Sequence, residues 1–373
     1  MKRIICIFVM LLALSSTASS ASEAFTVDAK AAVLIDAASG RILFSQNANE
    51  RLPMASTTKI MTAIVALEHS RLGEIVTVGK NASGVEGSSI YLSEGEELSM
   101  EHLLYGLMLR SGNDAAVAIA EHVAGSVDAF AALMNDKARE LSANARFVNP
   151  HGLPAEGHAA SALGMALIMR SAMTIPDFRT ITATQRKVIP WVGNEYSRVL
   201  ENKNRLLSTY EGANGGKTGY TREAGRCLVF SAKRDGLELI GVVLNCPTWF
   251  DTAETLLDYG FENYRARTAL QTGQAAGAAT LRNGSSPSVA VIAGGELTSA
   301  VAVGKPFTLR CEYADGLSAP IRKGDVVGTA FMTSGGETLA SCPLIAAEDV
   351  PVWSFAEALK SLLRNWLLRL SAG

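Results

Sequence analysis

Between Gly215 and Asn245 the chain turns into three consecutive β-type runs, and this stretch limits the possible folds more than any other. Residues 217–221, 227–232 and 237–245 are short runs of strand-forming character. Asp235-Gly236 between the last two is a two-residue hairpin signal, so these runs are expected to be antiparallel neighbours. Upstream the period changes. In residues 57–68, Ile60, Met61, Ile64, Val65 and Leu67 recur at helical spacing with no Gly or Pro. Residues 100–110, 114–123, 128–141 and 161–174 read as further helices, and 250–264 as one more. Residues 31–36 and 41–45 read as strands around a Ser39-Gly40 turn. A helical cluster between two sets of antiparallel strands predicts a mixed α/β (α+β) domain over residues 25–265.

At 373 residues and 48% hydrophobic, the chain has room for about two domains with a sizeable core. Residues 266–350 are rich in Gly, Ala, Thr and Val, with turns such as Asn283-Gly284, Asp315-Gly316 and Gly335-Gly336. They predict a small all-β C-terminal domain with no catalytic cluster. In residues 352–370, Trp353, Leu359, Leu363, Trp366, Leu367 and Leu370 share one helical face. Glu357, Lys360, Arg364 and Asn365 share the other. This terminal amphipathic helix suits a membrane surface; a helix docked on its own protein has the same pattern, but two tryptophans favour the membrane. Residues 1–21 combine a basic start at Lys2 and Arg3, an apolar run and a small-residue stretch ending at Ala21. They are expected to be a signal peptide, because the apolar run falls short of the ~20 residues that span a membrane.

The formal net charge of −2, with no basic block among aromatics, argues against nucleic acid as a partner. Cys227, Cys246, Cys311 and Cys342 show no CxxC spacing, and the histidines no ligand spacing, so no metal is expected. Two disulfides, Cys227–Cys246 and Cys311–Cys342, or four buried thiols are both compatible with the spacing. The glycines from Gly212 to Gly219 lead into a strand, not a helix, so no phosphate-binding loop and no cofactor are expected.

Three short motifs carry chemistry. Ser56-Thr57-Thr58-Lys59 puts a hydroxyl and an amine three residues apart, on one side of a helix. A serine becomes nucleophilic when a base takes its proton, and burial or a second cation can lower a lysine pKa enough for that task. Ser56 is also a plausible helix cap. Ser111-Gly112-Asn113 lies in a turn between two helical runs and can project two polar side chains into a cleft. By itself it is weak, since Ser-x-Asn recurs at Ser45 and Ser142. Lys217-Thr218-Gly219 opens a strand, where cation and hydroxyl can meet a substrate carboxylate and Gly219 can let a substrate backbone approach.

In this order the motifs resemble those of the penicillin-recognising serine enzymes. Residues 52–63, 106–116 and 148–153, together with 202–207 and 257–261, are similar to the D-alanyl-D-alanine carboxypeptidases among the low-molecular-mass penicillin-binding proteins. That resemblance implies a β-lactamase/transpeptidase-like catalytic domain acting on peptidoglycan stem peptides and acylated by β-lactams. It implies Ser56 as nucleophile, Lys59 as general base and Ser111 as proton relay. Asn113 would bind the substrate backbone, Lys217 and Thr218 the terminal carboxylate, and the N–H groups of Ser56 and Tyr220 the oxyanion. The implied location is extracytoplasmic, on the outer face of the cytoplasmic membrane. Two positions depart from the pattern: Trp249 stands where some members have an arginine, and Gly164 where an aspartate is usual. A β-lactamase of the same fold, with Glu201 as a faint match to a deacylating glutamate, is a second reading. An inactive wall-binding protein is a third.

Overall fold

The computed structural model describes residues 25–356 and residue 359; the expected signal peptide and most of the expected terminal helix lie outside them. A five-stranded antiparallel sheet organises the first domain, in the order Ala213–Thr221, Gly225–Arg234, Leu237–Leu244, Ala31–Asp36, Ile42–Gln46. Asp235 and Gly236 both have positive φ (48° and 81°), as a two-residue turn matching strand twist requires. The sheet is covered on both faces, so Ala31–Ile35 has no exposed residue at all. Ala32, Leu34, Leu228, Phe230 and Val243 face one way, against Phe250, Leu256 and Leu257 of the helix Trp249–Asn263. Val33, Ile35, Val229, Ile240 and Val242 face the other way, into the larger core.

That larger core is the helical cluster. Its centre is α1 (Lys59–His69), buried from Lys59 to Ala66 and surrounded by α2 (Met100–Leu109), α3 (Asn113–Ala124), α4 (Val127–Glu140) and α5 (Ala162–Ala172). Ser99, Ser126 and Ser161 cap α2, α4 and α5 through their hydroxyls. The strand Ala213–Thr221 has a sheet neighbour on one side only, and its open edge runs past the N-terminal end of α1.

From Tyr264 onward the described chain is β-structure with its own core around Val289, Val291, Val327, Met332 and Leu344. Cys311 and Cys342 are both register partners of Ala330, one on each side of it. Two strand spacings, ~9.5 Å, separate them, beyond disulfide reach. All four described cysteines are free thiols.

The turn after the first strand locks the two domains together. Asp36, 1% exposed, accepts from Ala38 N, Ser39 N and Ser39 Oγ, and from Ala300 N of the second domain at 2.9 Å. Arg41 donates to Ala300 O at 2.9 Å and pairs with Glu337. Replacing Asp36 by alanine strands the buried Ala300 N, at ~1–3 kcal/mol when unsatisfied, along with partly buried donors of Ala38 and Ser39. Asp36→Ala is therefore expected to lower the urea midpoint and to expose the segment around Tyr264 to limited proteolysis. Wild-type midpoint and cleavage pattern in the variant would refute the lock.

Candidate active site

The nucleophile candidate sits in a strained turn. Ser56 lies inside a single 3-10 turn, Ala55–Thr58, that runs into α1, and the turn has no side-chain cap. Ser56 is therefore not a capping residue. Ala55 has φ +49°, and Gly152 (φ +89°) packs so closely that a Cβ there would overlap the Ala55 carbonyl. On the other side a Cβ at Gly219 would lie 2.9 Å from Ser56 N and 3.0 Å from Met54 O. The space beside Gly219 thus belongs to the Ser56 turn and not to a substrate backbone, the role that the sequence suggests for it.

Lys59 Nζ is 2.9 Å from Ser56 Oγ, 2.7 Å from Asn113 Oδ1 and 2.6 Å from His151 O. The residue has no exposed surface. Burial pushes its amine well below the usual lysine range; Lys217 and then Lys203 push it further, against a smaller opposing effect of Asp114. A neutral amine has two N–H bonds and one lone pair. Asn113 Oδ1 and His151 O can take the two N–H bonds, which leaves the lone pair for the Ser56 hydroxyl. That is the geometry of a serine with its general base.

The other motif residues converge on the same cleft, a space of about 230 Å³ lined by Ser56, Ser111, Thr218, Gly219 and Tyr220, with Ser88, Lys203 and Trp249. Ser111 has φ +63°, and its buried Oγ has no hydrogen-bond partner among the described residues. A buried hydroxyl held without a partner in an unfavourable backbone conformation marks a group waiting for one. Lys217 lies beneath the cleft floor, 1% exposed, with Nζ 2.8 Å from Thr218 O. Burial, helped by Lys203, brings its amine down to about 7. Asn113 donates through Nδ2 to Glu86 O at 2.6 Å.

Several residues that the motifs did not reveal build the walls. Asp114, almost fully buried, accepts from Ser89 Oγ, Ile90 N and Leu92 N. Arg198 forms a buried pair with Glu96 (2.6 and 2.8 Å) and donates to Ile90 O and Tyr91 O. Together they pin the loop of residues 81–96 along one wall. Lys203 joins that wall through Ser88 Oγ at 3.0 Å. His158 is neutral, its pKa pushed down to about 4 mainly by burial. Val148 N donates to its Nδ1, so its Nε2–H faces Thr58 Oγ1 at 2.9 Å. Glu201 is exposed on the strand Arg198–Glu201 and does not line the cleft.

A family profile described as D-alanyl-D-alanine carboxypeptidase matches residues 16–248, and one described as penicillin-binding protein 5, C-terminal domain, matches residues 264–352. The chain belongs to the D-alanyl-D-alanine carboxypeptidase family. It is 34% identical to D-alanyl-D-alanine carboxypeptidase DacF of Bacillus subtilis, over 91% of this chain and 90% of that one. It is 35% identical to D-alanyl-D-alanine carboxypeptidase DacC of Escherichia coli, over 89% and 88%. Penicillin binding protein 5 from Haemophilus influenzae superposes with a TM-score of 0.77 at 30% identity, covering 87% of this chain and 98% of that one. The family resemblance, the mixed α/β class and the serine-peptidase assignment are thus established.

Within this family the two departures acquire physical reasons. Gly164 is the third residue of α5, and a Cβ there would come within 2.9 Å of Asn144 O, so backbone fills the space of a side chain. Trp249 lines the cleft itself, and Arg226 beside it turns its guanidinium to Pro247 O at 2.7 Å. The cation that does line the cleft is Lys203.

The buried lysines make a pH signature. Lys217 titrates at about 7 in the folded chain against 10.5 for an ordinary lysine. Between those values the unfolded chain binds more protons, so stability rises with pH, by up to ~1.4 kcal/mol per unit for one group. Lys59 acts in the same direction. Lys217→Met should remove its share of this slope from urea midpoints measured across the window. A slope falling with pH in the wild type would contradict the buried, neutral amines.

Proposed function

We propose the following division of labour for the carboxypeptidase reaction on peptidoglycan stem peptides. The observation that carries it is the Lys59 amine, stripped of water and 2.9 Å from Ser56 Oγ. Ser56 attacks the carbonyl between the last two D-alanines as Lys59 takes its proton. The N–H groups of Ser56 and Tyr220 receive the oxyanion. Asn113 holds a substrate carbonyl with the Nδ2–H that Glu86 does not use. Ser111 passes the proton to the departing amine, which gives its unpartnered hydroxyl a task. Thr218 and Lys203 hold the terminal carboxylate from the cleft wall, and Lys217 supports them from beneath. Water then cleaves the acyl-enzyme and releases the stem one residue shorter. A β-lactam enters as a cyclic analogue of the same dipeptide and stays as an ester.

The reading also places the mature protein outside the cytoplasm, after loss of residues 1–21, held peripherally on the membrane by residues 352–370. Trp353 and Phe355, at 62% and 77% exposed, support this, because they project from the domain without covering a core.

Two experiments test this. A fluorescent penicillin should label the wild type as a long-lived adduct and leave Ser56→Ala unlabelled, with D-alanine release falling at least ~10³-fold. Undiminished labelling of Ser56→Ala would dismiss the nucleophile, and rapid penicillin turnover would point to a β-lactamase. Deletion of residues 352–373 should abolish sedimentation with anionic lipid vesicles and leave D-alanine release intact; unchanged sedimentation would remove the anchor.

A further inference from the structure

The catalytic cleft has an aromatic neighbour. Ser88 and Ser111 line the cleft, while Ser89 and Arg110, next to them in the chain, line a second cavity of about 160 Å³. Tyr91, Trp191, Ser197 and Val199 line it too. Tyr91 comes from the pinned loop, and the others from the hairpin of the paired strands Arg186–Ile189 and Arg198–Glu201. Tyr91 is 71% exposed, and Tyr196, between those strands, is 78% exposed.

The exposure is held in place. Tyr91 has φ +60°, a conformation that a bulky aromatic residue rarely adopts. Ser89 Oγ accepts from its N–H at 2.8 Å, and Arg198 donates to its carbonyl at 2.9 Å. The same guanidinium lies 5.0 Å from the Trp191 ring and donates to Pro190 O at 3.0 Å. The buried pair with Glu96 fixes that guanidinium in turn, so one ion pair positions aromatic rings from two segments. Arg110 ends α2, and its side chain makes no hydrogen bond or ion pair among the described residues; it repels the Lys203 amine.

Aromatic faces, a free guanidinium and a serine hydroxyl around one open cavity match the chemistry of a sugar. One face of a pyranose is a sheet of C–H bonds, whose partly positive hydrogens settle on the negative face of an aromatic ring. Its hydroxyl and acetamido oxygens need donors at the rim, and Arg110 and Ser197 carry them. A protein partner fits less well. A stable interface takes about 800 Å² from each side around an apolar centre. Here Gly193, Asn194 and Glu195, all exposed, break the apolar surface between Val192 and Tyr196.

Position says which sugar chain arrives. The cleft serves peptidoglycan, in which stem peptides hang from sugar chains. In the division of labour proposed above, on which this inference rests, Asn113 serves the acyl side, and Ser111 and Lys203 serve the leaving group. The cavity behind Ser88 and Ser111 therefore lies on the leaving-group side. The sugar chain that bears the stem under attack lies on the other, so the chain that meets the cavity is a neighbouring one.

We propose that Tyr91, Trp191 and Tyr196 form a platform on which a neighbouring glycan strand stacks, with Arg110 and Ser197 bonding its acetamido and hydroxyl oxygens. The platform holds the protein to the wall while stems enter and leave the cleft. Contact with a polymer away from the reacting bond raises affinity for the wall and leaves turnover of a free stem unchanged.

The test uses the full chain and glycan strands freed of their stems, with dextran as the control polymer. Calorimetric titration should show the wild type binding the strands and not dextran. Trp191→Ala and Tyr196→Ala should each weaken strand binding about three- to tenfold, as loss of one aromatic face does, and Trp191→Phe should keep most of it. Each variant should release D-alanine from a free pentapeptide within about twofold of the wild type. From pentapeptide-rich wall sacculi at limiting concentration, the two alanine variants should release it about three- to tenfold more slowly. Tyr196, the most exposed of the three, makes this comparison without disturbing the Arg198 pair. A wild type that ignores the strands, or binds dextran equally, would overturn the platform. So would alanine variants that bind strands as the wild type does, or that lose equally on pentapeptide and sacculi. Strand binding by a wild type that takes no penicillin and releases no D-alanine would leave the platform standing and overturn the function proposed above.

Discussion

The structure depends on keeping one amine dry. An ordinary lysine is charged at neutral pH, and a charged amine cannot serve as a base. Lys59 is neutralised first by its place in α1, where apolar neighbours surround every residue from Lys59 to Ala66. The acceptors around it come from separate parts of the chain: Asn113 from the start of α3 and His151 O from the loop behind the nucleophile. The helical cluster is thus the solvent-excluding housing of the Lys59 amine; the sheet supplies one cation that biases it, Lys217, and the loop after the strand Arg198–Glu201 supplies another, Lys203.

Much of this is legible in the sequence, because the signals are local. Strands, helices and the Asp235-Gly236 hairpin follow from periodicity and turn chemistry, with most ends differing by a residue or two; the strand expected from Lys217 begins four residues earlier, at Ala213, where the glycines hide its pattern. Ser56, Lys59, Ser111, Asn113, Thr218, Gly219 and Tyr220 are brought together as the motifs implied. Lys217 joins them from below the surface, a depth that spacing cannot convey. Asp114, Glu96 and Arg198 were not found, because each acts through partners remote in the sequence. Arg198 and Glu96 are 102 residues apart, and nothing in either neighbourhood names the other. Lys203 lies in a segment whose sequence shows only family likeness, and its place on the cleft wall beside Trp249 is visible only in the fold. The cysteines show the same limit in reverse: spacing allowed two disulfides, and strand register rules out one of them.

Two of the strained backbone positions lie at the candidate site. Ala55 and Ser111, both non-glycine and both at positive φ, flank the Ser56 hydroxyl in sequence or in space. Each costs about 1–3 kcal/mol in isolation. The pinned loop, the Gly152 contact and the Gly219 contact hold these conformations from several directions. The stability of the large core offsets a small, rigid and unfavourable arrangement at its margin.

The strand that carries Lys217 and Thr218 ends the sheet, and side chains take up part of its row of backbone donors and acceptors: Thr182 Oγ1 bonds Gly216 N and O, Asn204 donates to Gly215 O and Lys217 Nζ donates to Thr218 O. In most proteins such a row invites other chains to stack on and begin a fibre. Here the opening is a slot, bounded by the nucleophile turn and the pinned loop. A slot is wide enough for one thin extended peptide and too narrow for a folded sheet. In the proposed function the same narrow slot would take an extended peptide, so one opening suits binding and leaves little room for stacking.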